Sequence, residues 1–306
     1  MSLRTVNRRR LLQTTILLAG LLGLAVAVAR AVDDTHDQVM PSPGALAVAA
    51  VFGLIAILTS GRAWVVLFAD VLESGAERLQ LEGAYYVSQL TKYLPGGGVV
   101  QAASQVGLAA SLGVPLGRVA LAFPVSAVGS VAAGTTLGAG LVLSGVLPGW
   151  ARALALLGLA APVFLHRRLM TGVLRLARRA VGRIPAPNRL PSQRSILVYY
   201  GWAIASISAS AAAYTVLLRS LTGEANPAVV FSASALSWAV GFLVVPIPSG
   251  IGIREAVLIA MIPGVGTVSL LAASLAQRLL AIGADVAAVV TNRLLRRLQK
   301  PAEPQE

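Results

Sequence analysis

Cysteine is absent from the 306 residues, so the chain can form neither a disulfide framework nor a thiolate metal site. Histidine is nearly absent, and His36 and His166 lie far apart beside charged residues, so we expect no metal site. Charged residues make up only 12% of the chain, hydrophobic residues make up 56%, and the mean hydropathy is +0.77. A water-soluble domain of this length has more polar surface, so the composition predicts a polytopic membrane protein.

The net charge is +13, and the basic residues are distributed as the positive-inside rule predicts for the cytoplasmic side of a membrane protein. Because topology accounts for the basic charge, we expect no nucleic-acid partner. Basic residues cluster before the first apolar run, in one linker, and after the last apolar run. The loop after the first run, "RAVDDTHDQVMPSP", is acidic instead. We therefore predict a multi-pass protein of the cell (cytoplasmic) membrane with both termini in the cytoplasm. The basic clusters are Arg4 with Arg8 to Arg10, Arg167 to Arg194, and Arg293 to Lys300.

Apolar runs predict an all-α fold with about eight transmembrane helices. The run Leu11–Ala29 also resembles a secretory signal, for which cleavage near Ala31 is the alternative. Its 19 residues approach the roughly 20 that cross a bilayer, so we interpret it as an uncleaved first span. The predicted spans are 11–29, 44–61, 119–145, 150–165, 196–218, 228–246, 254–266 and 268–291.

Charged segments connect or follow these spans. Residues 64–83 alternate acidic and apolar residues, and we expect them to lie along the cytoplasmic surface or to pack under the bundle. Residues 166–194 repeat apolar residues near every third or fourth position, which fits an amphipathic helix on anionic lipid, with Arg167 to Arg194 facing the headgroups. A solvated topogenic loop is the alternative. Residues 292–306 form a basic cytoplasmic tail.

The stretch "TKYLPGGGVVQ", residues 91–101, interrupts an apolar region with one proline and three glycines. Pro95 ends one helix, and the glycines permit backbone angles that other residues avoid. Unpaired backbone groups are costly in hydrocarbon, so we expect the break to be buried in protein or to line a wet cavity. The pattern predicts a re-entrant hairpin over 84–113, in which the second helix begins at about Val99.

The start of that second helix favours an anion. Its first amide groups lack intrahelical partners, and the positive end of the helix dipole points into the break. Lys92 lies one turn before the break and Gln101 lies just after it. A phosphate group is therefore a suitable ligand. The residues assigned to this lipid-headgroup hypothesis are Lys92, Pro95, Gly96, Gly97, Gly98 and Gln101.

A second interruption occurs in the other half of the chain, in "VVPIPSGIGIREAVLIAMIPGVG", and its motif covers residues 246–266. Paired interruptions in two halves are typical of transporters built from repeats, with a binding site between them. Ordinary connections near the membrane surface are the alternative. The residues assigned here are Pro246, Pro248, Gly250, Gly252, Arg254 and Glu255. A shift of 153 residues superposes Pro95 on Pro248, Gly97 on Gly250, and Gly113 on Gly266.

Ionisable residues inside the spans need partners, because each is costly in lipid. Glu255 and Arg278 lie on neighbouring predicted spans and could pair. Asp285 follows Arg278 by two turns, about 10 Å of helix rise, so it needs a different partner. The pair could be a structural link between helices, or Arg278 or Arg254 could meet a phosphate while Glu255 holds the arginine in place.

Two stretches resemble a known family. "YYVSQLTKYLPGGGVVQAASQVGLAASLGV", followed by "PIPSGIGIREAVLIAMIPGVGTVSLLAASLAQRLLAI", is similar to the transmembrane region of lysylphosphatidylglycerol synthases and their stand-alone flippase-like relatives. The resemblance runs from about Trp64 to the C-terminus. It implies a helical bundle that binds or translocates a lipid with an anionic or carrier-linked headgroup. It also implies one loop of Tyr93, Pro95, Gly96 and Gly97, and a second site of Pro248, Gly250, Gly252, Glu255 and Arg278.

The chain departs from this family in two ways. Only a short basic tail follows residue 291, so we expect no lysyl transfer by this chain. The third predicted span, "ALAFPVSAVGSVAAG", carries no charged residue where relatives are expected to have one.

We therefore expect a non-enzymatic, cofactor-free flippase-like protein that binds and translocates an anionic phospholipid or a polyprenyl-phosphate-linked lipid. No Gly-x-x-x-x-Gly-Lys-Ser/Thr loop is present, so nucleotide hydrolysis is not expected. One alternative is a membrane glycosyltransferase using a polyprenyl-phosphate sugar, with the stretch "DDTHD", residues 33–37, as acid/base and metal site. Another is a non-transporting lipid-binding partner of a lipid or cell-envelope synthase. The sequence leaves open whether the two halves are parallel or inverted repeats.

Overall fold

The computed structural model describes residues 40–69, 72, 75–93, 97–142, 145, 152, 156, 158–181, 190–243 and 252–298. These residues are overwhelmingly helical, and none of them lies in a β-strand. The predicted all-α fold is therefore confirmed for this part of the chain. The predicted first span, 11–29, and the acidic residues Asp33 and Asp34 lie outside the described residues.

Nine α-helices have bounds within the described ranges. They are α1 Pro43–Val66, α2 Gly75–Leu90, α3 Gly97–Ser111, α4 Leu116–Gly138, α5 Arg167–Val181, α6 Gln193–Thr222, α7 Pro227–Leu243, α8 Ile253–Met261 and α9 Thr267–Leu298. Shorter 3-10 helices are Thr91–Tyr93, Ala139–Val142 and Ala161–Leu165.

Local sequence signals set several helix ends. Ser42 caps α1, because its hydroxyl oxygen accepts a hydrogen bond from the Ala45 amide at 3.3 Å. Ser192 caps α6 in the same way, accepting from the Ser195 amide at 3.1 Å. At the other end of α6, Gly223 adopts a φ of +68°, a conformation that glycine tolerates best.

Four helices are long and apolar enough to cross a bilayer: α1, α4 with its 3-10 extension, α6 and α9. They correspond to the predicted spans at 44–61, 119–145, 196–218 and 268–291. Helix α7 is apolar but has 17 residues. These helices support the assignment to membrane proteins.

Two other predicted spans are only partly helical in the described residues. In the segment 254–266 the helix α8 ends at Met261, and its nine residues from Ile253 are too few for the roughly 20 that a bilayer requires. In the span predicted at 150–165, residues 152, 156 and 158–160 are helical, Ala161–Leu165 form a 3-10 helix, and the other residues lie outside the described ones.

Helix α6 lies at the centre of the bundle and packs against α1, α4, α7 and α9. Small residues allow the closest approaches between helices. A Cβ atom added to Gly134 or to Gly138 of α4 would lie 2.8 Å from Ala239 or Leu236 of α7, respectively. Glycine is therefore required at these two positions by the distance between α4 and α7.

The predicted interfacial segment 64–83 includes the end of α1 and the start of α2, and its position at a membrane surface stays a prediction. Helix α1 continues to Val66, and α2 begins at Gly75 and runs uninterrupted through the boundary predicted at residues 83 and 84. Glu82 of α2 is buried, and its Oε1 atom forms an ion pair with Nε of Arg62 on α1 at 3.0 Å. Burial raises the pKa of the Glu82 carboxyl, and the Arg62 guanidinium opposes that rise. Of the charged residues of α2, Glu82 is thus buried and paired, whereas Glu77 and Arg78 are exposed.

Helix α5 has the amphipathic character predicted for the basic linker. Met170 and Leu174 are buried on one face, whereas Arg168, Arg175 and Arg179 are exposed. The predicted helix is therefore confirmed over Arg167–Val181, and its contact with anionic lipid stays a prediction.

Candidate functional site

The first break lies between α2 and α3. The chain leaves α2 at Leu90, forms the 3-10 turn Thr91–Tyr93, and re-enters a helix at Gly97. Helix α3 thus begins two residues before the predicted Val99, with Gly97 and Gly98 in its first turn. Pro95 and Gly96 lie outside the described residues.

Asp285 of α9 holds the turn at this break. Its Oδ2 atom lies 2.7 Å from the Lys92 ammonium and accepts a hydrogen bond from the Tyr93 hydroxyl at 2.6 Å. The side chain of Asp285 is 3% exposed and that of Lys92 is 26% exposed. The sequence indicated that Asp285 needed a partner other than Arg278, and the structure identifies two partners on consecutive residues.

Two glutamines lie beside the same break. Gln101, in the second turn of α3, donates its side-chain amide to Oε1 of Gln89 on α2 at 2.9 Å. Gln89 is 5% exposed, and its own Nε2 is buried without a hydrogen-bond partner among the residues that the structure describes. A buried amide donor without an acceptor is costly unless a ligand or water completes it. Gln89 was not predicted as a site residue, although its position six residues before Pro95 was a usable signal.

The second break lies between α7 and α8. Residues 244–251 lie outside the described residues, and with them the predicted site residues Pro246, Pro248 and Gly250. The described part resumes at Gly252, whose φ of +87° favours glycine. The Gly252 amide donates to Oε2 of Glu255 at 2.8 Å, so the Glu255 side chain caps the N-terminus of α8 from within its first turn.

The other carboxylate oxygen of Glu255 binds Arg278 of α9. The Arg278 Nη2 lies 2.7 Å and Nε lies 3.3 Å from Glu255 Oε1. The predicted ion pair between these residues is therefore present. Since Glu255 is buried and both its oxygens are occupied, the pair fixes the start of α8 against α9.

Arg254 is a cation without a direct counter-ion. It is half-buried, and it makes no hydrogen bond or ion pair with any residue that the structure describes. Its guanidinium lies close enough to Arg278 for the two positive charges to repel, with Glu255 attracting both. Two arginines share one glutamate here, so this break has one net positive charge. The first break is balanced, because Lys92 faces Asp285.

Both breaks are attached to the same stretch of α9. Arg278 and Asp285 are seven residues apart on that helix, about 10 Å along its axis. The charge of Arg278 also reaches the Tyr93 hydroxyl of the first break. Lys92 and Tyr93 therefore contact α9 about two helical turns from the residue that binds Glu255.

The two broken hairpins approach this stretch from opposite ends of α9. The Asn292 side chain donates to the Leu79 carbonyl at 3.0 Å, so α2 runs from Asn292 towards Asp285. Helix α8 starts at the level of Arg278 and runs towards Leu270, which shares a buried cluster with Ile262. Helix α2 thus lies along the C-terminal part of α9 and α8 along its N-terminal part, and the two breaks meet α9 between Arg278 and Asp285.

An apolar cleft of about 590 Å³ lies elsewhere, around the turn between α6 and α7. It is lined by uncharged residues, among them Phe52, Thr215, Asn226 and Phe231. Pro227 lies at the opposite end of α7 from the second break, about 24 Å away by helix rise. Because it carries no ionisable side chain, this cleft is not a candidate for binding a charged group.

Among the residues that the structure describes, no group of three or more histidine, aspartate or glutamate side chains could hold a metal ion. A comparison of the chain with models of protein families and with curated protein sequences finds no match. The resemblance to the lysylphosphatidylglycerol synthase transmembrane region therefore stays an expectation, and the functional argument depends on the geometry of the two breaks.

Proposed function

We propose that this protein binds the anionic headgroup of a membrane lipid between the two helix breaks and moves that lipid across the bilayer. The observation that carries the proposal is Arg254. A partly buried guanidinium is costly without an anion, and among the described residues the charged groups that influence Arg254 are Arg278, a like charge, and Glu255, which already pairs with Arg278. An anion is the ligand that lowers this cost.

The charge balance favours a phosphate diester as the bound group. Arg254, Arg278 and Glu255 together carry one net positive charge, and a phosphodiester carries one negative charge. Arginine suits this role because its planar donors bind phosphate oxygens in pairs. Gln89 and the first amides of α3 supply further donors from the other break. The headgroup class therefore includes anionic phospholipids and polyprenyl-phosphate-linked lipids.

The position of the two breaks near the middle of α9, with α2 and α8 extending towards its two ends, supports movement as well as binding. In transporters with inverted repeats, a fixed central site opens alternately to the two sides as one half rocks against the other. Here hairpins entering from opposite ends of α9 meet near its middle. The lipid tails would stay in the surrounding hydrocarbon while the headgroup passes the breaks.

The test is a translocation assay with purified protein in liposomes that contain a fluorescent, short-chain phosphatidylglycerol. Replacement Arg254→Gln should lower the translocation rate by about tenfold or more, since a charge-assisted hydrogen bond contributes roughly 1.5–3 kcal/mol. The matched control is Arg219→Gln, at an exposed arginine in the last turn of α6. Equal rates for Arg254→Gln and the wild type would contradict the proposal.

The same assay distinguishes a transporter from a lipid-binding partner subunit. A partner subunit would bind phosphatidylglycerol through Arg254 without changing the leaflet distribution of the lipid. Binding measured in detergent, alongside translocation in liposomes, therefore separates the headgroup site from the transport step.

A further inference from the structure

The Lys92–Asp285 pair has a feature that headgroup binding alone does not use. Both Lys92 and Tyr93 donate to the same carboxylate oxygen, Oδ2 of Asp285. These partners are consecutive residues of the 3-10 turn directly before the first break. Asp285 therefore fixes the position of that turn, and any change at the carboxylate acts on both residues of the turn.

This pair keeps the first break electrically neutral. Lys92 is the ammonium group closest to the break, yet it can bind a phosphate only by leaving Asp285. Its departure would leave a carboxylate that is 3% exposed without its counter-ion, which is costly in a low-dielectric interior. A proton on Asp285 removes that cost, because a neutral carboxyl group can stay hydrogen-bonded to Tyr93.

We propose that Asp285 is a proton-binding site whose protonation releases Lys92 to the lipid headgroup, so that headgroup binding is coupled to the uptake of one proton. In this step the proton goes to the Asp285 carboxylate, Lys92 keeps its charge, and the ion pair is exchanged for an ammonium–phosphate pair. Coupling of this kind is reciprocal, so a proton gradient could drive the lipid. The inference rests on the proposed function and supplies its source of energy.

The surroundings of Asp285 are consistent with this role. The other buried carboxylates on neighbouring helices, Glu82 and Glu255, have arginine partners of their own. Lys92 is about one quarter exposed, so it has access to a ligand or to water. Among the described residues, Lys92 and Tyr93 of the turn contact Asp285 directly. Tyr85 of α2 interacts electrostatically with Asp285, with Ser60 of α1 hydrogen-bonded to Tyr85 and Tyr199 of α6 also influencing it. Arg278 of α9 acts in the same way on Tyr93.

The experiment measures proton uptake when lipid binds. Purified full-length protein in weakly buffered detergent solution is mixed with short-chain phosphatidylglycerol near neutral pH, and a pH-indicating dye reports protons taken up per lipid bound. The wild type should take up about one proton per lipid. Asp285→Asn should bind the lipid without proton uptake, because the amide still accepts from Tyr93 but cannot be protonated.

Two further variants keep the result interpretable. Lys92→Gln removes the ammonium group that protonation of Asp285 releases, so this variant should take up no proton when lipid binds. It tests the proposal even if Asp285→Asn fails to fold. Glu82→Gln is the matched control, since Glu82 is another buried acid paired with a base but lies away from the break, and its uptake should equal that of the wild type. Wild-type binding without proton uptake, or uptake retained in Asp285→Asn, overturns the coupling alone. Absence of wild-type binding overturns the proposed function as well.

Discussion

At the first break a base on the hairpin, Lys92, pairs with an acid on α9, whereas at the second break an acid on the hairpin, Glu255, pairs with a base on α9. The carboxylate of Glu255 uses its second oxygen to cap α8, so the second pair is also part of the backbone structure. The lysine of the first pair is more exposed than the arginine of the second, 26% against 17%. The comparison suggests a permanent link at the second break and a releasable one at the first.

The largest effect should come from the second pair. Replacement Glu255→Ala leaves Arg254 and Arg278 unneutralised and removes the cap on Gly252, so it should lower the free energy of unfolding by about 3–5 kcal/mol. Unfolding in a detergent–SDS titration measures this change. The double variant with Arg278→Ala should lose less than the sum of the single losses, because the two residues interact. Strictly additive losses would show that the pair does not link the helices.

Replacement Asp285→Ala should cost less. Tyr93 loses its acceptor and Lys92 loses its counter-ion, but the lysine can reach water, so we expect a loss of about 1–3 kcal/mol in the same titration. If Asp285→Ala destabilises the protein more than Glu255→Ala, the first pair is the permanent link and the comparison is reversed.

The glycine at the second break should be conformationally required. Gly252 has a φ of +87°, so Gly252→Ala should cost about 1–2 kcal/mol through backbone strain. Gly107 lies inside α3 and has open space around an added Cβ. Gly107→Ala should therefore raise stability by about 0.5–1 kcal/mol. A similar response at both positions would remove the distinction between the break and the helix interior.

The smallest change in stability should follow Gln89→Leu. The Nε2 of Gln89 has no partner among the described residues, and the substitution removes only the hydrogen bond that Oε1 of Gln89 accepts from Gln101. The free energy of unfolding should therefore fall by about 1 kcal/mol, and lipid affinity should fall as well. Gln277 is the contrasting case, because its Nε2 donates to the Ser210 carbonyl at 2.7 Å. Gln277→Leu should destabilise the protein without affecting lipid affinity. Unchanged affinity in Gln89→Leu would exclude Gln89 from the headgroup site.

Local sequence patterns predicted much of the architecture. Apolar runs located the long helices α1, α4, α6 and α9, and the linker pattern predicted α5. The segment 64–83 was predicted from its charges to lie along the cytoplasmic surface or to pack under the bundle, and that placement stays a prediction. The burial of Glu82 was not predicted, because it depends on the ion pair with Arg62 of the preceding helix α1.

The sequence by itself determined the helical membrane class, through its apolar content, and the position of the first break, through proline and glycine. It also indicated the Glu255–Arg278 pair, because the two residues lie on neighbouring segments. Only the tertiary structure decided that Tyr93 meets Asp285 across 192 residues, and that the hairpins enter from opposite ends of α9. Backbone preferences act over a few residues, whereas such contacts depend on which helices pack together and in which direction, and that is a property of the whole bundle.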